Sequence, residues 1–160
     1  MDVVRENGEP AGWLETGQGH AWLNLVKVLL ALPGTLESQL LRDADLTLLG
    51  YMILSRLEAV PESTLRMSVV AQMANGSLPR ISHAVTRLED RGWVKRTVRT
   101  GQGRRFTVVS LTAEGRTHVR TASPEHIANI RRLVIEPLGD EFITVATAAG
   151  RIVEALGLPT

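Results

Sequence analysis

The chain of 160 residues is one domain's worth, long enough for a modest core, with 44% apolar residues and a net charge of +1. Aromatic residues make up only 4% and cysteine is absent. This argues against a binder that stacks single-stranded bases and excludes disulfides, thiolate-metal sites, thiol nucleophiles and cysteine redox sensing.

Residues 1–11 are polar and aperiodic, with Gly8 and Pro10, and read as a frayed tail. The start has no apolar run of signal-peptide length, and the most apolar stretch, Trp22–Leu32, is broken by Lys27 and too short to span a bilayer. A cytoplasmic protein with no membrane association is the expectation. From Gly12 to Leu32, apolar Trp22, Leu25, Val26, Leu29 and Leu30 recur at helical spacing, and Pro33-Gly34 predicts the stop. A short amphipathic piece, Thr35–Arg42, follows. Thr47 is placed to cap a helix that turns Leu48, Leu49, Met52, Ile53 and Leu57 inward.

Pro61–Thr64 reads as a loop and Leu65–Met67 as a short extended piece. Ser68 is the expected cap of a compact helix bearing Val69, Val70 and Met73, closed by Asn75-Gly76. A second helix runs from Leu78 to Arg91, where Gly92 supplies a left-handed stop. The period then changes from 3.6 to 2, so Trp93–Val98 and Phe106–Leu111 predict a two-stranded hairpin with its tip at Thr100–Gly103. Thr112 caps a long helix interrupted at Pro124 and ended by Pro137. Asp140 caps a last helix with Phe142, Ile143, Val145, Ala146, Ala149, Ile152, Val153 and Leu156 on its apolar side.

Charge is unevenly spread. Ser77–Arg105 holds eight basic and two acidic side chains, a net of +6, which leaves ten basic and fifteen acidic elsewhere, a net of −5. Such a stripe is the footprint of a face that binds a polyanion, unless it is merely a solvated surface.

Helix, turn, second helix and hairpin in that order describe a winged helix-turn-helix, whose second helix fits a B-DNA major groove while the first braces it. At 100° per residue, Ile81, Ala84, Val85 and Leu88 share one side of the second helix, and Arg80, His83, Thr86, Arg87 and Asp90 the other. Arg99, Arg104 and Arg105 flank the hairpin tip, within reach of a minor groove or its phosphates. Ser68 and Ser77, at the starts of the two helices, complete the candidate DNA contacts. The first and last helices are too broadly apolar for one small core to cover, which predicts a two-fold homodimer.

The segments Leu65-Arg66-Met67-Ser68, Ile81-Ser82-His83-Ala84-Val85-Thr86-Arg87-Leu88-Glu89, Arg91-Gly92-Trp93-Val94 and Leu111-Thr112-Ala113-Glu114-Gly115 together resemble the MarR (multiple antibiotic resistance regulator) family, actinobacterial-type members above all. His20-Ala21-Trp22-Leu23 and Pro124-Glu125-His126 extend the resemblance to about Gly12–Leu156. It implies a mainly α fold with a small β-hairpin wing. Residues 1–42 and 113–160 would form dimerisation helices around a winged helix-turn-helix at 46–112, all in one domain.

The implied function is a homodimeric transcriptional regulator, usually a repressor, on a pseudo-palindromic operator of double-stranded DNA. Ser82, His83 and Arg87 would contact DNA from the recognition helix and Arg105 from the wing. His83 stands where many relatives have arginine. Gly103 stands where the family often has a wing-bracing aspartate. The resemblance also implies a small aromatic or phenolic effector in a crevice, for which Trp13, His20 and Trp22 are the candidates; core packing is the plainer role for the tryptophans. No catalytic motif, metal-ligand spacing or cofactor signature is present, so no enzyme, metal or cofactor is expected. The rival reading is a winged-helix interaction or dimerisation module without specific DNA readout.

Overall fold

The computed structural model describes residues 14–73, 78–101 and 103–158. By its internal contacts the chain divides into two units, Met1–Thr35 and Leu36–Thr160.

In the first unit the described chain is helical from Thr16, the start of α1 (Thr16–Ala44). Trp22, Leu23, Leu25, Val28, Leu29 and Leu30 are all exposed in the single chain, Leu30 at 78%. Pro33-Gly34 does not end this helix, contrary to expectation: Pro33 lies inside it. A proline there removes one hydrogen bond, at a cost of about 3 kcal/mol, which a helix of this length absorbs.

The second unit begins with the last turns of α1, whose Leu40 is fully buried. Asp45, at φ 51, turns the chain, and α2 (Leu48–Ala59) follows. Two side chains close its N-terminus. Thr47 Oγ1 accepts from the Gly50 N–H at 3.0 Å, the expected cap, and Glu37 Oε2 accepts from the Leu48 N–H at 2.9 Å. A 3₁₀ turn, Pro61–Ser63, leads into β1 (Thr64–Arg66) and directly into α3 (Met67–Met73). Ser68 is therefore inside α3 rather than at its cap, because the strand runs into the helix without a free residue between them.

Next come α4 (Leu78–Asp90), β2 (Val94–Gly101) and β3 (Arg104–Leu111). The hairpin is longer than the alternation predicts. It is also part of a three-stranded antiparallel sheet of order β1-β3-β2, since Thr64, Leu65 and Arg66 pair with Ser110, Val109 and Val108. The core gathers Ile53, Leu54 and Leu57 from α2, the inner side of α4, and Val94, Val109 and Val119 from the wing base and α5. Each such buried aliphatic contributes about 1.5–3 kcal/mol.

Thr112 caps α5 (Ala113–Ile130), accepting from the Gly115 N–H at 3.0 Å and donating to the Gly92 carbonyl at 2.7 Å. A Cβ added to Gly115 would stand 2.0 Å from the Trp93 carbonyl oxygen, so the first turn of α5 lies directly on the wing base. Pro124 does not interrupt α5. Buried Val119 and Ala122 before it and His126 and Asn129 after it hold both halves to the unit. A π turn, Arg131–Ile135, and the short α6 (Glu136–Leu138) carry the chain to α7 (Phe142–Ala155). Asp140 is not the cap of α7, because a 3₁₀ turn occupies Gly139–Glu141 and delays the helix to Phe142. No residue of α7 is buried, and Ile143, Val145 and Ile152 stand exposed along it. Among the described residues no helix is long and apolar enough to cross a membrane.

Candidate nucleic-acid interface

The periodicity of α4 fixes what it shows to solvent. Ile81, Ala84, Val85 and Leu88 are buried, as the 100° pattern requires, which turns Arg80, His83 and Arg87 outward and leaves all three exposed. Thr86 and Ser82 are half-buried, and the Thr86 hydroxyl donates to the Ser82 carbonyl at 2.9 Å. Ser68, on α3, is exposed. Ser77 and the Asn75-Gly76 turn lie outside the described residues, as does Trp13.

The wing presents Arg99, Arg104 and Arg105, all exposed. Arg99 stands across from Phe106, and Arg105 from Thr100. Gly103 adopts φ +72 at the tip, a left-handed conformation that favours glycine over the aspartate expected from the resemblance. Two contacts that the sequence did not announce hold the wing instead. The Arg96 backbone N–H donates to Glu89 Oε1 at 2.8 Å, and its guanidinium grips Oε2 at 2.6 Å. The Arg96 backbone N–H, above all, holds the Glu89 carboxyl below its ordinary value of 4.5, against a smaller opposing effect of burial. On β1, the Arg66 guanidinium lies 4.1 Å from the centre of the Phe106 ring.

The cations divide accordingly. Arg96 is spent on Glu89, and Arg91 on Asp45 at the end of α1. Arg80, Arg87, Lys95, Arg99, Arg104 and Arg105 pair with no carboxylate among the described residues. The sequence window therefore overstates both signs, because its most ordered acid is inside a clamp and leaves the exposed cations unopposed.

Behind α4 lies a cavity of about 200 Å³, lined by Leu41, Thr47, Arg87, Leu88, Arg91 and Trp93 among others. Trp93 stacks on His118, with ring centres 3.9 Å apart, and His118 Nε2 donates to the Ala44 carbonyl at 2.8 Å. Deeper in, Gln39 Nε2 donates to Asp43 at 3.0 Å, which orients its Oε1 to accept from His126 Nδ1 at 3.0 Å. The His126 ring is buried against Tyr51, and burial lowers its pKa from 6.5. His118 and His126 are thus both engaged in packing, and no group of three or more potential metal ligands occurs among the described residues. His20 and Trp22, the described effector candidates, are exposed on the first unit.

No protein-family model and no curated protein matches the chain. Solved structures do. Sco3205 from Streptomyces coelicolor, a MarR family transcriptional regulator in complex with DNA, is 32% identical, with 92% of this chain and 96% of that one covered and a TM-score of 0.84. AbsC, a MarR family transcriptional regulator of the same organism, is 32% identical over 90% of this chain and 97% of its own, with a TM-score of 0.83. CouR from Rhodococcus jostii RHA1, bound to p-coumaroyl-CoA, shares the fold at 23% identity, covering 85% and 90% of the two chains, with a TM-score of 0.66.

Proposed function

This chain belongs to the MarR family of transcriptional regulators, and from that premise we propose that it represses transcription by binding a pseudo-palindromic operator in double-stranded DNA as a homodimer. The observation that carries the reading is the division of α4. Its apolar side is sealed in the core, and its outer side offers Arg80, His83 and Arg87 beside a wing of unpaired arginines. An α-helix so presented fits the major groove, where an arginine makes a bidentate pair with guanine. Ser68 and Ser77 are assigned to the phosphates, Ser82 and Thr86 to the groove beside Arg87, and Arg99, Arg104 and Arg105 to the wing's contact with the flanking backbone or minor groove.

The homodimer is supported by the exposed apolar sides of α1 and α7, which no part of the single chain covers. A two-fold dimer would set its recognition helices about 34 Å apart, one turn of B-DNA. Release by a small aromatic or phenolic ligand completes the proposal. His20 and Trp22 would wall a crevice that a partner helix closes, and the DNA-bound Sco3205 and ligand-bound CouR are relatives in which each kind of partner is found.

The test is a gel-shift titration on the DNA preceding its own coding sequence, repeated across salt concentrations. Operator binding through unpaired arginines gives a steep fall in affinity with salt, close to one counterion per phosphate contact. Absent or salt-insensitive binding would overturn the reading.

A further inference from the structure

The three-stranded sheet collects on one face cations that lie far apart in the sequence. Register sets Arg66 opposite Val108, Lys95 opposite Ser110, Arg99 opposite Phe106, and Arg104 opposite Gly101. Strand alternation sends all four basic side chains to the same side. Three contacts establish that side independently. The Thr64 and Ser110 hydroxyls meet at 2.8 Å, the Arg66 guanidinium stacks on Phe106, and a Cβ on Gly101 would stand 3.2 Å from the same ring. The other face carries Arg96 to its Glu89 partner and contributes Leu65, Val94 and Val109 to the core region.

The outward face therefore displays Arg66, Lys95, Arg99 and Arg104, all exposed, and none paired with a carboxylate among the described residues. The strands themselves contain no acidic residue. Like charges gathered this closely repel one another, and nothing within the strands offsets it. One of them is nonetheless held in place, for the Phe106 ring lies between Arg66, stacked upon it, and Arg99, its cross-strand neighbour. A flexible cation kept for solubility needs no such platform, whereas an ordered one suits a ligand with a fixed array of negative charge.

We propose that this sheet face is a second phosphate-binding surface, on which Arg66 and Lys95 join Arg99 and Arg104 to hold the backbone of double-stranded DNA outside the groove segment read by α4. The proposal rests on the DNA-binding reading above. Its contacts are independent of sequence and lengthen the footprint of each half of the dimer. Arg66 belongs to this surface only because β1 pairs with the wing, which no sequence window reveals.

The experiment compares the full-length chain with its R66Q/K95Q and R66K/K95R variants. Binding is measured by fluorescence anisotropy on two 40-base-pair duplexes, one from the DNA preceding its own coding sequence and one of scrambled sequence, across a range of salt. The glutamine variant is expected to flatten the slope of log Kd against log salt by about two on both duplexes, at roughly 0.9 per phosphate, while the charge-preserving variant keeps the parent slope. If the parent binds and the glutamine variant has the same slope, the surface proposal is overturned. It is also overturned if the lysine-arginine exchange flattens the slope equally, since packing rather than charge would then be responsible. A parent chain that binds neither duplex overturns the DNA-binding reading itself.

Discussion

Glu89, in the last turn of the recognition helix, accepts from both the backbone and the guanidinium of Arg96 on the first wing strand, at 2.8 and 2.6 Å. The two DNA-facing elements are thereby fastened to each other at their common base, across the Gly92 turn.

Replacing Glu89 with alanine should cost about 1–2 kcal/mol in urea unfolding, since charge-assisted hydrogen bonds are lost from a pair whose side chains are 31% exposed. The carboxyl is held below 4.5, so its contribution is complete above that pH and fades as pH falls through the folded-state value. E89A should therefore lose less stability than the parent between about pH 4.5 and 3. Parallel acid limbs in the two proteins would show that the clamp does not contribute.

His126 gives the opposite end of the same kind of measurement. Its burial favours the neutral ring, so below about pH 6.5 the unfolded chain takes up a proton that the folded one resists. Stability should fall as pH drops below that value, with a slope from this one group of at most about 1.4 kcal/mol per pH unit. In H126F the slope between pH 6.5 and 5 should be shallower whatever the variant's absolute stability. An unchanged slope would mean that the ring is charged in the native state.

Arg87→Ala distinguishes base readout from simple attraction. If Arg87 reads a guanine, the variant loses about 1–3 kcal/mol on the operator and much less on scrambled DNA. Equal losses on both, in competition binding, would reassign it to a phosphate.

Ile152 is 50% exposed on the apolar side of α7. In a homodimer built through that side, I152E would bury a carboxylate twice, once in each protomer, at several kcal/mol per site. Sedimentation should then show a dimer for the parent and a monomer for the variant. The same mass for both would place the interface elsewhere.

Much of this was readable from the residues because it depends on local periodicity or local geometry. The buried side of α4, the Thr47 and Thr112 caps and the positive φ of Gly92 all involve residues within a few positions of one another. What was missed depends on distant partners. β1 is three residues long, too short to show an alternation, and becomes a strand only by pairing with β3. Arg66 and the Glu89–Arg96 clamp follow from such pairings. Pro33 and Pro124 were given too much weight as stops, because a proline's local cost is offset by the helix or packing on either side of it. Ser68 and Asp140 look like caps, but the strand and the 3₁₀ turn next to them had already shifted the helix starts.

The near-contact of Gly115 with the Trp93 carbonyl leaves no slack between α5 and the root of the wing. A joint without slack transmits rotation instead of absorbing it. The wing strand spans eight residues, so its length is about 26 Å at roughly 3.3 Å per residue. A tilt of about 5° at that root would carry the tip roughly 2 Å, more than half the reach of a hydrogen bond. Helix α5 and the wing therefore behave as the two arms of one crank, and a modest rotation of the first is enough to take the second out of register with a groove.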